Sequence, residues 1–277
     1  MATIIIHSNV LNFDQVTTLT RALGKPEKHT THYRIERAEP PAPETLDALR
    51  NALQLDINVL PEDFDPKAVK LLISDMDSTL IAIECVDEIA DRVGIKDEVA
   101  AITEAAMRGE LDFESSLKKR VGLLEGLPTH ELECVYEERL ELNPGAETLI
   151  AGLKQKGISF ALVSGGFTFF TERLKAELGL DFARANVLAV AEGKLTGGID
   201  GDIVAAHTKA EYLLELCDQL GITPQQAIAV GDGANDLEMM KLAGLSVAYH
   251  AKPAVRTQAD TQLNIRGLDA ILDFLEA

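Results

Sequence analysis

An α/β fold with a doubly wound parallel sheet is predicted by three observations. Four short apolar runs, at residues 69–74, 159–163, 227–230 and 245–248, read as strands buried on both faces. Helical patterns separate them, which is the alternation that a parallel sheet requires. Between the first and second runs the gap far exceeds the roughly 2–6 residues of an ordinary βα loop, and residues 84–139 carry helical spacing, so a helical cap is inserted there.

Ahead of these runs, residues 3–7 (TIIIH) read as a strand. Residues 14–23 follow with helical spacing at Val16, Leu19 and Leu23, and residues 29–36 alternate in part as a second strand. Pro40, Pro41 and Pro43 break the chain before an amphipathic stretch at 44–55, with Leu46, Leu49, Leu53 and Leu55 apolar. Residues 57–60 form a last short strand. Together they predict a small α+β unit near the lower size limit for independent folding. The acidic, proline-bounded PEDFDP at 61–66 reads as a linker. The expected division is an N-terminal α+β domain at 1–65, a core at 66–83 and 144–277, and a cap at 84–143 that ends at Asn143-Pro144-Gly145. Residues 191–204 (AEGKLTGGIDGDIV) predict a β-hairpin with turns at Glu192-Gly193 and Gly197-Gly198.

Composition narrows the partners. Acidic residues outnumber basic ones 45 to 26, a net charge of −19, so the surface repels nucleic acid. An anionic substrate therefore needs a local positive pocket. No apolar run approaches the ~20 residues of a membrane span, and the opening MATIIIHSNV has no basic, long-apolar leader. Cys85, Cys134 and Cys217 lie far apart without metal-type spacing. Reduced thiols in the cytoplasm are the expectation.

Chemistry concentrates in four segments. DMDSTL (75–80) follows the first core strand and sets two carboxylates two residues apart where open α/β sheets bind ligands. In isolation it reads equally well as an acidic helix cap. SGGF (164–167) follows the second run, and a hydroxyl with free backbone N–H groups at a helix entrance holds phosphoryl oxygens. Lys209, at the start of a helical pattern, supplies the positive charge that the surface lacks. GDGANDLEMM (231–240) follows the third run and groups Asp232, Asn235 and Asp236, a loop able to hold Mg²⁺ through one or two carboxylates. No GxxxxGK[ST] or HExxH occurs, which excludes P-loop and zincin chemistry.

In this order the four segments resemble the motifs of the haloacid dehalogenase superfamily. Within it, DMDSTLIAIECVDEIADRVG (75–94), MRGELDFESSLKKRV (107–121), SGGFT and GDGANDLEMM resemble the phosphoserine phosphatase family, over about residue 67 to the end of the sequence. The N-terminal residues are similar to a degenerate ACT-like region, although the glycine that follows the first strand in amino-acid-binding ACT domains is absent from IIIHSNVLNF. The resemblance implies hydrolysis of O-phospho-L-serine, the last step of serine biosynthesis, through an aspartyl-phosphate on Asp75. Asp77 is then the general acid and base. Mg²⁺ is expected on Asp75, Asp232 and the backbone carbonyl of Asp77, with Asp236 supporting from behind. Ser164, Gly165, Lys209 and Asn235 are expected at the phosphate, Glu84 at the substrate ammonium and Arg120 at its carboxylate, with Met107 and Phe113 lining the closed pocket. Alone, Arg120 in KKR reads as part of a solvated charge run. Three alternatives stay open: a phosphatase for another small phosphometabolite, a phosphotransferase, and a receiver-like signalling domain that also uses an aspartate, Mg²⁺ and a lysine. The N-terminal unit is the expected place for a homodimer contact.

Overall fold

Two sheets organise the chain in the computed structural model, which describes residues 1–107 and 110–276 except the side chain of Met107. The first is antiparallel. Its strands are β1 (Ala2–Ile6), β2 (Glu27–Lys28), β3 (Tyr33–Arg37) and β4 (Ile57–Val59), in the order β2-β3-β1-β4. Helices α1 (Phe13–Ala22) and α2 (Pro43–Leu53) complete a split βαβ arrangement. Strand alternation explains its packing. Ile4 and Ile6 meet Leu19, Leu46 and Leu49 under the helices, while Ile5 on the other face joins the core of the second sheet. An Asn12–Gln15 capping box starts α1, and Pro43 starts α2, where its missing N–H costs nothing.

The second sheet has strands β5 (Leu71–Ser74), β6 (Ser159–Phe167), β7 (Phe182–Ala191), β8 (Lys194–Asp200), β9 (Ala227–Gly231), β10 (Leu245–Tyr249) and β11 (Thr261–Leu263). Their order is β11-β10-β9-β5-β6-β7-β8, parallel throughout except for the β7–β8 hairpin. The chain winds from β5 outward through β6 and β7, then returns to β9 on the other side of β5. That reversal leaves a crevice at the carboxyl ends of β5, β6 and β9. Leu72 packs on one face of the sheet, Leu71 and Ile73 on the other, which is why the strand reads as an unbroken apolar run.

Helices α3 (Cys85–Arg92), α4 (Lys96–Met107), α5 (Phe113–Gly122) and α6 (His130–Arg139) form the insertion after β5. Then come α7 (Ala146–Gln155), α8 (Thr168–Leu178) after β6, α9 (Ala206–Leu220), α10 (Leu237–Leu242), α11 (Pro253–Arg256) and α12 (Ile271–Phe274). The two chain crossings into the insertion lie side by side: Ile81 bridges Leu142, and the Asn143 amide donates to the carbonyls of Thr79 (2.8 Å) and Ile81 (3.1 Å). No helix among the described residues is long and apolar enough to cross a membrane.

Three elements differ from the sequence expectation. β6 runs past Val163 to Phe167, so SGGF continues the strand. The hairpin begins at Phe182 and turns at Glu192-Gly193, both with positive φ (50° and 76°). Gly197-Gly198 is not a second turn: Gly197 (φ 77°) lies inside β8, where the pairing register shifts and the strand passes close to the Gly122 carbonyl.

The N-terminal unit docks through exchanged carboxylates. Asp56 accepts the backbone N–H groups of Asn264 (2.8 Å), Ile265 (3.0 Å) and Arg266 (2.8 Å). The Asn58 amide bonds both backbone groups of Gln262, as a neighbouring strand would. In return Asp273 on α12 meets His7 Nδ1 (2.8 Å) and the Thr31 hydroxyl (2.5 Å), with His32 Nδ1 at 3.5 Å. Burial alone would raise the Asp273 carboxyl, but His32 and His7 hold it well below the usual carboxylate range. A folded-state pKa depressed in this way adds stability above pH ~4 that disappears as pH falls through and below that value. Asp273→Asn should therefore cost about 3 kcal/mol near neutral pH and flatten the acid limb of a urea-denaturation series. An unchanged acid limb would assign that limb to other carboxylates.

Candidate active site

The site begins where β5 ends. The Asp75 N–H donates to the Val230 carbonyl at 3.0 Å, which locks the end of β5 against β9. The chain then makes one wide turn over Met76–Leu80, with Asp77 extended (ψ 133°) and Ser78 at φ 58°. A non-glycine residue in that left-handed region costs roughly 1–2 kcal/mol. The Ser78 hydroxyl offsets part of it by donating to Glu84 Oε1 at 2.7 Å. Both Asp77 oxygens are engaged, Oδ1 by the Cys85 N–H (2.8 Å) at the start of α3 and Oδ2 by the Ser164 hydroxyl (3.0 Å).

Behind Asp75 lies a buried ammonium. Lys209 Nζ donates to Asp75 Oδ1 and Asp236 Oδ1, both at 2.7 Å, with the lysine 1% exposed. Asp236 is in turn fixed by the Gly233 N–H on its other oxygen (3.1 Å). At Gly231 a Cβ would stand 2.4 Å from the Asp236 carboxyl carbon, so only glycine lets this carboxylate turn inward. Asp232, with the Thr79 hydroxyl 3.4 Å from Oδ1, completes a group of three carboxylates whose oxygens lie within 4.8 Å of one another.

The Ser164 loop is equally confined. Ser164 accepts the Gly166 N–H (2.7 Å), and a Cβ at Gly166 would meet Asp77 Oδ2 at 2.6 Å. Buried Asn186 on β7 ties this loop to the one that leads into α9: its amide donates to the Gly165 carbonyl (2.7 Å) and accepts the Val204 N–H (2.8 Å). On the cap side, Glu84, Phe113 and Arg120 face the same cavity as Asp75, Asp77 and Asp232. Gly165 and Asn235 also line it, whereas Ser164 and Lys209 stand behind as buried supports. Met107 falls outside the described side chains. Phe113 packs over Gly165, where a Cβ would approach its ring at 2.9 Å. The cavity, about 130 Å³, suits a small metabolite rather than a polymer.

Electrostatics here favour an added cation. Three carboxylates gather around one ammonium that bonds only Asp75 and Asp236, which leaves negative charge in excess in a largely buried place. Burial, then Asp236, pushes the Asp75 carboxyl well above its ordinary value despite Lys209. Burial and Asp236 likewise push Asp232 up to about 6. Lys209 stays protonated: burial lowers its pKa, but Asp236 and Asp75 more than reverse this. All-oxygen donors around uncompensated negative charge fit a hard divalent cation. Burial and then Asp77 raise Glu84 to about 7. Arg120 is lowered by burial, against the pull of Asp87, Glu84 and Asp77, and its buried Nε has no hydrogen-bond partner among the described residues.

Comparison with known proteins agrees with this geometry. The model of the haloacid dehalogenase-like hydrolases matches residues 69–244. A phosphoserine phosphatase of Polaromonas sp. is 56% identical over 227 residues, 80% of this chain and 96% of that protein. The chain belongs to the phosphoserine phosphatase family of haloacid dehalogenase-like hydrolases. Among solved structures, a probable phosphoserine phosphatase from Vibrio cholerae in unliganded form matches 99% of this chain and 86% of its own, with TM-score 0.86 and 39% identity. A phospho-aspartyl intermediate analogue of phosphoserine phosphatase matches 74% of this chain and 98% of its own, with TM-score 0.70 and 44% identity.

Sequence reasoning missed two residues that shape this site, Asn186 and Thr79. Thr79 stood in the DMDST segment unassigned, and Asn186 had no local signal beyond being polar within VLAV-like surroundings. Asn186→Asp keeps the shape but removes the donor to Gly165, so the unfolding free energy should fall by about 1–3 kcal/mol. Phosphatase activity should fall further than the fraction folded explains, as read by turnover per folded molecule from circular dichroism. Normal turnover in the folded fraction would confine Asn186 to stability.

Proposed function

We propose that this chain hydrolyses O-phospho-L-serine to L-serine and phosphate through an aspartyl-phosphate on Asp75. One observation carries the reading: the cavity that holds Asp75 and Asp77 also presents Glu84 and Arg120, whose buried Nε has no partner among the described residues. A phosphorylated α-amino acid has complementary groups for each, an ammonium for Glu84 and a carboxylate for Arg120.

With one Asp75 oxygen held by Lys209, the other attacks phosphorus in line with the departing serine oxygen. The phosphorus–serine oxygen bond breaks, and Asp77 gives that oxygen its proton. Asp77 then takes a proton from water as the water oxygen attacks phosphorus. The bond to Asp75 breaks, which releases phosphate and restores the carboxylate. The Cys85 N–H and the Ser164 hydroxyl fix Asp77 for both transfers. In this reading Asp75, Asp232 and the Asp77 carbonyl would hold Mg²⁺, which when bound would offset repulsion between the carboxylate nucleophile and the phosphate dianion. Ser164, Gly165, Asn235 and Lys209 surround the phosphoryl oxygens. The cap over residues 84–143 closes on the substrate to exclude water before attack. A cytoplasmic setting fits the three free cysteines. Association of two copies through the N-terminal unit, where Val10 and Phe13 are exposed, belongs to the same reading.

Phosphate release from L-phosphoserine with Mg²⁺ should far exceed that from phosphothreonine, a sugar phosphate or an aryl phosphate. It should vanish on chelation and in Asp75→Asn. Aryl phosphate turnover without a phosphoserine preference would keep the aspartyl-phosphate chemistry and sink the substrate assignment. Arg120→Ala should raise KM for phosphoserine by roughly tenfold or more, as loss of a charge-assisted pair worth about 1.5–3 kcal/mol implies. Aryl phosphate turnover should be largely kept. Equal losses on both substrates would point to cap closure instead.

A further inference from the structure

The charges lining the cavity leave one cation without a task. Asp75, Asp77, Glu84 and Asp232 all face it, in a chain of net charge −19, and a phosphate monoester brings further negative charge. Lys209 is divided between two carboxylates, and Arg120 is committed to the substrate carboxylate in the function proposed above. Lys252, after β10, is the other cation lining the cavity among the described residues. Its ammonium forms no ion pair with them, whereas Arg92, Arg139, Arg173 and Arg184 are each paired with a carboxylate.

Its placement is built into the backbone. His250 takes φ 44°, unusual for a residue with a bulky side chain, with its N–H on the Leu263 carbonyl at 2.7 Å. Lys252 follows, its own N–H on the Asp232 carbonyl at 3.2 Å, and Pro253 begins α11 at once. The strained turn and the proline hold the lysine beside the Asp232 loop, so a flexible side chain springs from a fixed point on the cavity wall. Asp232 feels its positive charge, which opposes the effect of burial there.

We propose that Lys252 is the anion-capturing residue of this site: its ammonium meets the phosphoryl group as substrate enters and holds product phosphate before release, with no part in bond making. The proposal rests on the phosphomonoester reading but not on serine as the leaving group. A cation at a negatively charged mouth raises the local concentration of an anion, and salt screens that effect over ~8–10 Å.

The test compares wild type, Lys252→Ala and Lys252→Arg with Mg²⁺ present, from low to moderate ionic strength. KM and kcat are measured on phosphoserine and an aryl phosphate, and the dissociation constant of inorganic phosphate by calorimetry. Lys252→Ala should raise KM and the phosphate dissociation constant about tenfold, with a smaller loss in kcat, and weaken the salt dependence of kcat/KM. Lys252→Arg should recover most of each. Wild-type phosphate affinity and salt dependence in Lys252→Ala would overturn the proposal, as would a kcat loss that arginine does not rescue. If wild type prefers aryl phosphate, the serine assignment fails alone, and the same comparison on aryl phosphate still decides Lys252.

Discussion

A lysine ammonium without water needs carboxylates, and everything at this site is arranged around Lys209 sharing its charge between Asp75 and Asp236. The three side chains come from α9, the end of β5 and the turn after β9. They meet because β5 and β9 are adjacent parallel strands whose ends lie about 4.8 Å apart. An ammonium has three N–H groups, and two are taken by these carboxylates, so in the proposed function the third is left for a phosphoryl oxygen. The same bond orients the nucleophile by fixing one of its oxygens. Removing the lysine would leave buried carboxylates facing one another, so the positive charge that suits phosphate also holds the strand ends together.

The insertion is tied to this chemistry at its first residue. Asp77 accepts from the N–H of Cys85, which begins α3, and from Ser164 on the opposite loop. The position of the cap and the aim of the Asp77 carboxyl, the general acid of the proposed function, are therefore mechanically linked. Inside the cap, Arg92 bridges Glu131 and Glu138, and Arg139 bridges Glu88 and Asp91, so α3 and α6 move as a unit. Contacts from α6 to α8, Arg173 to Glu133 and Tyr136 to Glu177, are exposed polar pairs. Such pairs contribute about 0–1 kcal/mol each. Stronger ties lie elsewhere: the Gly126 N–H donates to the Leu195 carbonyl and the Leu195 N–H to the Leu127 carbonyl, both at 2.8 Å, and Leu117, Leu132 and Val135 share the apolar core with Leu72 and Leu162.

What the sequence made legible follows from where burial is complete. The four core strands are buried on both faces, so their apolar runs were readable, and so were the motifs that leave them. β7 was not, because FARANVLAVA mixes Arg184 and Asn186 with exposed Val187 and Val190. Its pairing with β6 on one side and β8 on the other makes it a strand. β2 and β11, at two and three residues, carry too little pattern to read. Catalytic carboxylates announce themselves by type and spacing, whereas Asn186, Asp56 and Asp273 act through partners distant in sequence, and nothing local marks them. Gly197 was readable as a special backbone position but not as a bulge, since turn and bulge both call for positive φ.

Selectivity in a strongly acidic protein is a local matter. Surface charges are screened within ~8–10 Å, so the net charge weakens approach more than it weakens binding once substrate is inside. In the proposed function the decisive feature there is Arg120, whose buried Nε has no partner among the described residues and whose desolvation already works against its charge. A phosphate ester without a carboxylate leaves that cost in place. A phosphorylated amino acid removes it, and returns two charge-assisted hydrogen bonds if the guanidinium fork is used. Discrimination of this kind comes from the cost of leaving a buried group unpaired with the wrong ligand, which exceeds what added apolar contact with the right one supplies. Glu84 works by the same rule from the other sign. Burial and Asp77 make it a weak acid near neutrality, and an ammonium placed beside it restores its charge. In the proposed function the two residues would read both ends of one zwitterion, while residues of the core would read the phosphoryl group.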